Sequence, residues 1–159
     1  MSDRPGPVLP PSQGAARLDS FPYRHRVADV MRGPVVTVPP ETPLAVASRT
    51  MIRARIGSLI VTDAEGAVRG IATERDFLRA LAEMGPGAAD APISRIMSNP
   101  VATILEDSFL FVAFGRMPRL GVNHLLAVDA RGRPVGMVSA SALMRLRSTE
   151  ALVIGDEVA

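Results

Sequence analysis

Val27-Ala28-Asp29-Val30-Met31-Arg32-Gly33-Pro34-Val35 returns 66 positions later as Ile93-Ser94-Arg95-Ile96-Met97-Ser98-Asn99-Pro100-Val101. The same offset lays residues 27–79 on residues 93–145 without a gap. Thr37 falls on Thr103, Leu44 on Leu110, Val46-Ala47 on Val112-Ala113, Met51 on Met117 and Arg53 on Arg119. Further on, Leu59 meets Leu125, Asp63-Ala64 meets Asp129-Ala130, Gly66 meets Gly132 and Gly70 meets Gly136. Identity and like-for-like exchange in one unbroken register mark an internal repeat. A unit of about 50 residues buries too little apolar surface to be secure alone, so the two copies are expected to share one core. Duplication implies pseudo-twofold symmetry and, with it, a pair of equivalent clefts.

Within each copy the pattern reads β-α-β-β-α. Val35-Val36-Thr37-Val38 is a β-branched run. Thr42 is placed to cap a helix that begins at Pro43, with Leu44, Ala47, Ser48 and Met51 on one face. In the second copy Ser108 takes the cap, and Leu110, Ala113, Phe114 and Met117 make the face. Ser58-Leu59-Ile60-Val61 and a strand from Val68 to Ala72 flank a turn at Asp63-Ala64-Glu65-Gly66, which recurs as Asp129-Ala130-Arg131-Gly132. A second helix opens at Thr73 and runs through Phe77, Leu78 and Leu81. Its counterpart opens near Ser139 and runs through Leu143 and Met144. The fold class is therefore α+β, with a Pro-rich mobile tail at 1–22 that ends in an anchor at Phe21 and Tyr23. The first copy spans 23–82, a Gly/Ala/Pro linker 83–92, the second copy 93–147 and a C-terminal tail 148–159.

Composition excludes several functions. Cysteine is absent, which removes disulfides, thiolate metal sites and thiol catalysis. No apolar run reaches the length of a membrane span, and the Pro-rich start is not a signal peptide; a cytoplasmic location is expected. The net charge is +2 and all 18 basic residues are arginine, which sets the pI near 10.3. These arginines are scattered without aromatic interleaving, so nucleic acid is not the expected partner. Any phosphate contact must come from a guanidinium fork, and a Walker lysine cannot exist.

The chemistry concentrates at Gly70-Ile71-Ala72-Thr73-Glu74-Arg75-Asp76-Phe77, a strand end followed by a helix start. Free N–H groups at a helix N-terminus receive phosphate. Thr73 can add a hydroxyl and Arg75 a charge-assisted bond, while the Asp76 carboxylate suits the two hydroxyls of a ribose. The competing reading is a capping box, in which Thr73 and Asp76 satisfy backbone donors of their own helix. Spacing alone favours the cap.

The ordered set of motifs, occurring twice over residues 27–145, resembles a tandem pair of cystathionine β-synthase (CBS) domains. The resemblance rests on Val27 to Met31 with Pro34-Val35, Ile56-Gly57-Ser58-Leu59-Ile60-Val61-Thr62-Asp63, and Gly70 to Asp76. Ile93 to Met97 with Pro100-Val101, Val122 to Asp129, and Gly136-Met137-Val138-Ser139 form the second set. It implies two β-α-β-β-α units packed sheet to sheet, a homodimer, and a regulatory, non-catalytic module. Its ligand would be adenosine-containing: AMP, ADP, ATP, S-adenosylmethionine, NAD or a cyclic dinucleotide. By the same resemblance, cleft A would use Thr73, Arg75 and Asp76 for phosphate and ribose, with Ala102, Val122, Asn123 and His124 around the base. Cleft B would use Ser139 and Ser141 with Val36, Ile56, Gly57 and Ser58.

The copies differ where this matters most, because Asp76 aligns with Ala142 and Arg75 with Ser141. Loss of a charge-assisted hydrogen bond costs about 1.5–3 kcal/mol, so cleft B is expected to hold a ribose roughly ten- to hundred-fold more weakly. His124 either hydrogen-bonds a ligand or sits half-buried beside a strand, and His25, between Arg24 and Arg26, is expected in solvent. Among Arg53, Arg55 and Arg119, one could reach a phosphate tail. Nothing places the two histidines together, so neither a metal centre nor an enzyme is expected. The alternatives to a nucleotide sensor are a structural dimerisation module with vestigial clefts, or the regulatory segment of a larger bacterial signalling protein. The tail from Arg145 to Ala159 is similar to segments that follow CBS pairs in bacterial signalling proteins, some of which also carry a cyclic-nucleotide-binding domain and a nucleotidyltransferase domain.

Overall fold

The structure, a computed structural model, describes residues 21–145; the greater part of the expected N-terminal tail and the whole C-terminal tail lie outside the described residues. Two short helices, α1 (Phe21–Arg24) and α2 (Val27–Val30), lead into the first copy: β1 (Thr37–Val38), α3 (Leu44–Ala54), β2 (Ser58–Thr62), β3 (Val68–Thr73) and α4 (Glu74–Met84). The second copy follows as β4 (Thr103–Leu105), α5 (Leu110–Leu120), β5 (His124–Val128), β6 (Pro134–Ser139) and a helix at 140–145. Each sheet has three strands, the first parallel to the second and the second antiparallel to the third. Even the register irregularity recurs, at Val61/Thr62 and at Ala127/Val128.

Alternation along the strands builds three cores. Leu59 and Val61 face α3 with Leu44, Ala47 and Met51, while Leu125 and Ala127 face α5 with Leu110, Ala113 and Met117. Ile60, Leu126 and Val128 point the other way and meet between the sheets, with Val35, Ile71, Val101 and Met137 around them. The two sheets thus pack face to face across the pseudo-twofold axis.

The segments that open the two copies are exchanged. Val27 and Met31 pack in the core of the second sheet, and Ile93 and Met97 in the core of the first. Backbone pairs fix the exchange: Arg32 and Met137 share N–H···O bonds of 2.9 and 2.8 Å, and Ser98 and Ile71 share bonds of 2.8 and 3.0 Å. Neither copy therefore closes its own core.

Local details correct several expectations. The first helices start one residue late, with Pro43 and Phe109 as caps and no side-chain capping bond; the N–H of Leu44 goes instead to the Ala91 carbonyl and that of Leu110 to the His25 carbonyl. Tertiary partners have replaced Thr42 and Ser108. The stretch read as linker carries the 3-10 helix Gly85–Asp90, and Ala88 and Ala91 are buried. His25 is half-buried and engaged rather than solvated. The Asp turns form as expected: Asp63 Oδ1 accepts from the Glu65 and Ala67 amides, and Asp129 Oδ1 from those of Arg131 and Arg133. The Ala67 amide, with Arg69 behind it, holds the Asp63 carboxyl below its usual value. Tyr23 stacks on Phe111 with ring centroids 5.0 Å apart, anchoring α1.

Candidate functional site

A cavity of about 1310 Å³ opens between the copies. One wall comes from the first copy (Val36, Ile56, Gly57 and Ser58), and another from the second (Met137, Ser139 and Ser141). These include all six residues placed in cleft B. His124, placed in cleft A, also lines this cavity, whereas Thr73, Arg75, Asp76, Ala102, Val122 and Asn123 do not. The volume exceeds the range of about 300–1,000 Å³ common for small-molecule sites, so a mononucleotide would leave room to spare.

The elements explain why these groups converge. In each sheet the second strand starts opposite the end of the third: Ser58 pairs with Thr73, and His124 with Ser139. Helices leave from those strand ends, so polar residues at the helix starts gather near the axis where the sheets meet. Ser139 Oγ accepts the Ala142 N–H at 3.2 Å and lies 3.2 Å from Ser141 Oγ. Ser58 is only 7% exposed.

In the first copy the helix start is occupied by its own capping box. Asp76 Oδ2 accepts from both the backbone N–H and the hydroxyl of Thr73, each at 2.8 Å. Asp76 is buried, with Arg79 at 3.9 Å, and Arg75 is exposed. The structure therefore brings Thr73 and Asp76 together in the geometry of a cap. The 1310 Å³ cavity lies on the side of the other cleft, the one whose own motif carries Ala142.

Of the three arginines offered for a phosphate tail, Arg55 lines the cavity and Arg53 and Arg119 do not, while sequence reasoning missed three other charged groups on its wall: Arg32, Arg145 and Glu74. Arg32 donates to the Arg55 carbonyl at 3.3 Å. Arg55 ends α3 in the left-handed conformation, φ 53°, where the second copy uses Gly121 at φ 65°. A side chain in that conformation costs about 1–2 kcal/mol, yet it sits where it lines the cavity. Left-handed geometry cannot be read from an Arg codon, so the only available signal was the alignment of Arg55 with a glycine. Glu74 was passed over as the variable position of Thr-x-x-Asp.

Burial holds the His124 imidazole below its usual pKa, and the Glu74 carboxylate raises it in part. An unfolded histidine binds its proton near pH 6.5; the folded one binds it less readily. Between the two values the unfolded state carries more protons, so stability falls as pH drops through 6.5 and levels off below the folded value. His124→Gln is expected to flatten that slope, measured by urea unfolding at pH 7.5 and 5.5. An unchanged slope would assign the pH dependence elsewhere.

Among known proteins, the family model described as CBS domain matches residues 27–83 and 93–149. An uncharacterised 17.7 kDa protein of Acidianus ambivalens is 31% identical over 120 residues, 76% of this chain and 71% of that protein. Two solved structures match closely in fold. The CBS domain pair of protein MJ0100, in complex with 5-methylthioadenosine and S-adenosyl-L-methionine, is 26% identical with a TM-score of 0.71, covering 79% of this chain and 98% of that one. The protein PAE2072 of Pyrobaculum aerophilum, complexed with AMP, is 26% identical with a TM-score of 0.68, covering 75% and 90%.

Proposed function

The chain belongs to the CBS-domain family, and we propose that it is a non-catalytic, cytoplasmic sensor that binds an adenosine-containing ligand in the cavity between its two copies. The observation that carries this reading is the cavity itself, with an apolar wall for a planar base and polar groups for the rest of a nucleotide. Val36, Ile56 and Met137 provide the apolar part. The Ser139 and Ser141 hydroxyls, with the guanidinium groups of Arg32, Arg55 and Arg145, offer donors to a phosphate. The adenosine ligands bound by MJ0100 and PAE2072 support this class of molecule.

Binding becomes a signal only if the ligand prefers one of two states of the module or of a domain joined to it. We place that second state in a homodimer or an attached effector domain. Ile52, Leu78 and Leu81 are exposed on α3 and α4 beside the cavity, an apolar face on which a dimer contact would be felt at the site.

Titration calorimetry with AMP, ADP, ATP, NAD, S-adenosylmethionine and cyclic dinucleotides tests the reading. Binding of at least one is expected, and at a hundred times its Kd that ligand stabilises the fold by about 2.7 kcal/mol. Heat from none, and no rise in melting temperature, would leave a structural dimerisation module. The double variant Ser139→Ala/Ser141→Ala is expected to weaken binding about ten-fold, with Asp76→Asn much milder. The reverse order would move the ligand to the Thr73–Asp76 cleft.

A further inference from the structure

Glu74 is the one acidic residue, among the described residues, on the wall of the cavity. It holds the first position of α4, between the capping Thr73 and the Asp76 that the cap engages. Its backbone N–H donates to the Gly57 carbonyl at 3.1 Å. A Cβ built on Gly57 would stand 3.5 Å from the Glu74 carboxyl carbon and 3.6 and 3.7 Å from its oxygens. The carboxylate therefore lies against the bare Cα of Gly57, on the wall that also carries Val36 and Ile56. Next to it, Ser58 is 7% exposed. Its hydroxyl has no hydrogen-bond partner among the described residues, and neither does the Glu74 carboxylate. The nearly buried Ser58 and the exposed Glu74, whose charge also acts on His124, line the same cavity, so the hydroxyl and the carboxylate are both available to a ligand there.

We infer that Glu74, with Ser58 beside it, reads the exocyclic amino group of the ligand's purine ring, which makes Glu74 the specificity-determining residue of this cavity. The inference rests on the reading that the cavity holds an adenosine-containing ligand. An ionised carboxylate only accepts hydrogen bonds, and an amino group on a flat ring offers it two donors. The Ser58 hydroxyl is free to donate to the neighbouring ring nitrogen. In the repeat register Glu74 aligns with Ala140, so the second copy supplies no counterpart. The cleft that lost its own carboxylate at Ala142 thus receives one from the helix start of the other copy, and its preference is shifted from sugar towards base. A site built to accept a donor discriminates strongly against an analogue that lacks it.

The test compares AMP with purine riboside 5′-monophosphate, identical except for the missing amino group, by calorimetry on the wild type, Glu74→Ala and Glu74→Gln. The wild type is expected to prefer AMP by about ten- to hundred-fold. Glu74→Ala is expected to lower AMP affinity to that of the purine nucleotide while leaving the latter unchanged. Glu74→Gln, which keeps a carbonyl acceptor, should retain part of the preference. Equal losses for both nucleotides in Glu74→Ala would overturn the inference and put Glu74 on the sugar. An AMP preference that survives in Glu74→Ala would overturn it as well. Absence of binding by both nucleotides to the wild type, where another adenosine ligand of the calorimetric series binds, would overturn this inference alone; heat from no member of that series would overturn the functional reading as well.

Discussion

Ile93→Ala is expected to lower the unfolding free energy of the whole chain by about 2–5 kcal/mol, the usual cost of emptying a fully buried Ile site. At roughly 2–4 °C per kcal/mol for a chain of this size, the melting temperature should fall visibly. The position is informative because Ile93 opens the second copy in sequence but is fully buried in the core of the first, against Leu44, Leu59 and Ala72. The cavity left behind should therefore destabilise the first copy, and the second with it. Val27→Ala is the mirror experiment, since Val27 is fully buried in the second core. Both variants should still unfold in one transition, followed by far-UV circular dichroism and by hydrogen exchange. Leu105→Ala, at a position 53% exposed, should stay within about 0.5 kcal/mol of wild type. Two separated transitions in Ile93→Ala would show the copies to be independent domains and would refute the shared core.

The exchange of opening segments was not legible in the sequence, although the duplication was. A 66-residue offset records that Val27 and Ile93 occupy equivalent positions, but it is equally satisfied whether each packs at home or across the axis. Periodicity placed the elements well, because the apolar faces of α3 and α5 and the strands Ser58–Thr62 and His124–Val128 are decided locally. The helix starts at 44 and 110 were read one residue early, since their first N–H groups are satisfied by Ala91 and His25, partners no local rule can find. The site divides in the same way. Thr73 and Asp76 were legible as a pair, and the structure joins them as a cap. That the large cavity falls on the side of Ser139 and Ser141 depends on how the sheets meet, and Glu74 became visible only once Gly57 stood against it.

Gly136→Val should destabilise by about 1–3 kcal/mol, the range for adding atoms to a packed contact, and part of that cost should be relieved by a second change 105 residues away in sequence, at Met31. A Cβ on Gly136 would stand 2.6 Å from Met31 Sδ, 2.8 Å from its Cγ and 3.1 Å from its Cβ. The thioether end of a methionine can swing aside, but its Cβ cannot, because the adjacent Arg32 is tied to Met137 by two backbone bonds. Gly70 meets Met97 in the same way, at 2.7 Å from Sδ and 2.9 Å from Cγ, with the Ser98 carbonyl at 3.0 Å. Two glycines at equivalent positions thus admit two methionines across the pseudo-twofold axis, which is the packing reason both recur in the repeat. Met31→Ala alone should also destabilise, by removing side-chain packing. Combined with Gly136→Val it should cost less than the sum, with a coupling of about 0.5–3 kcal/mol in a double-mutant cycle by urea unfolding. Strict additivity would mean that Met31 and Gly136 do not touch in solution, and the exchanged segment would have to sit elsewhere.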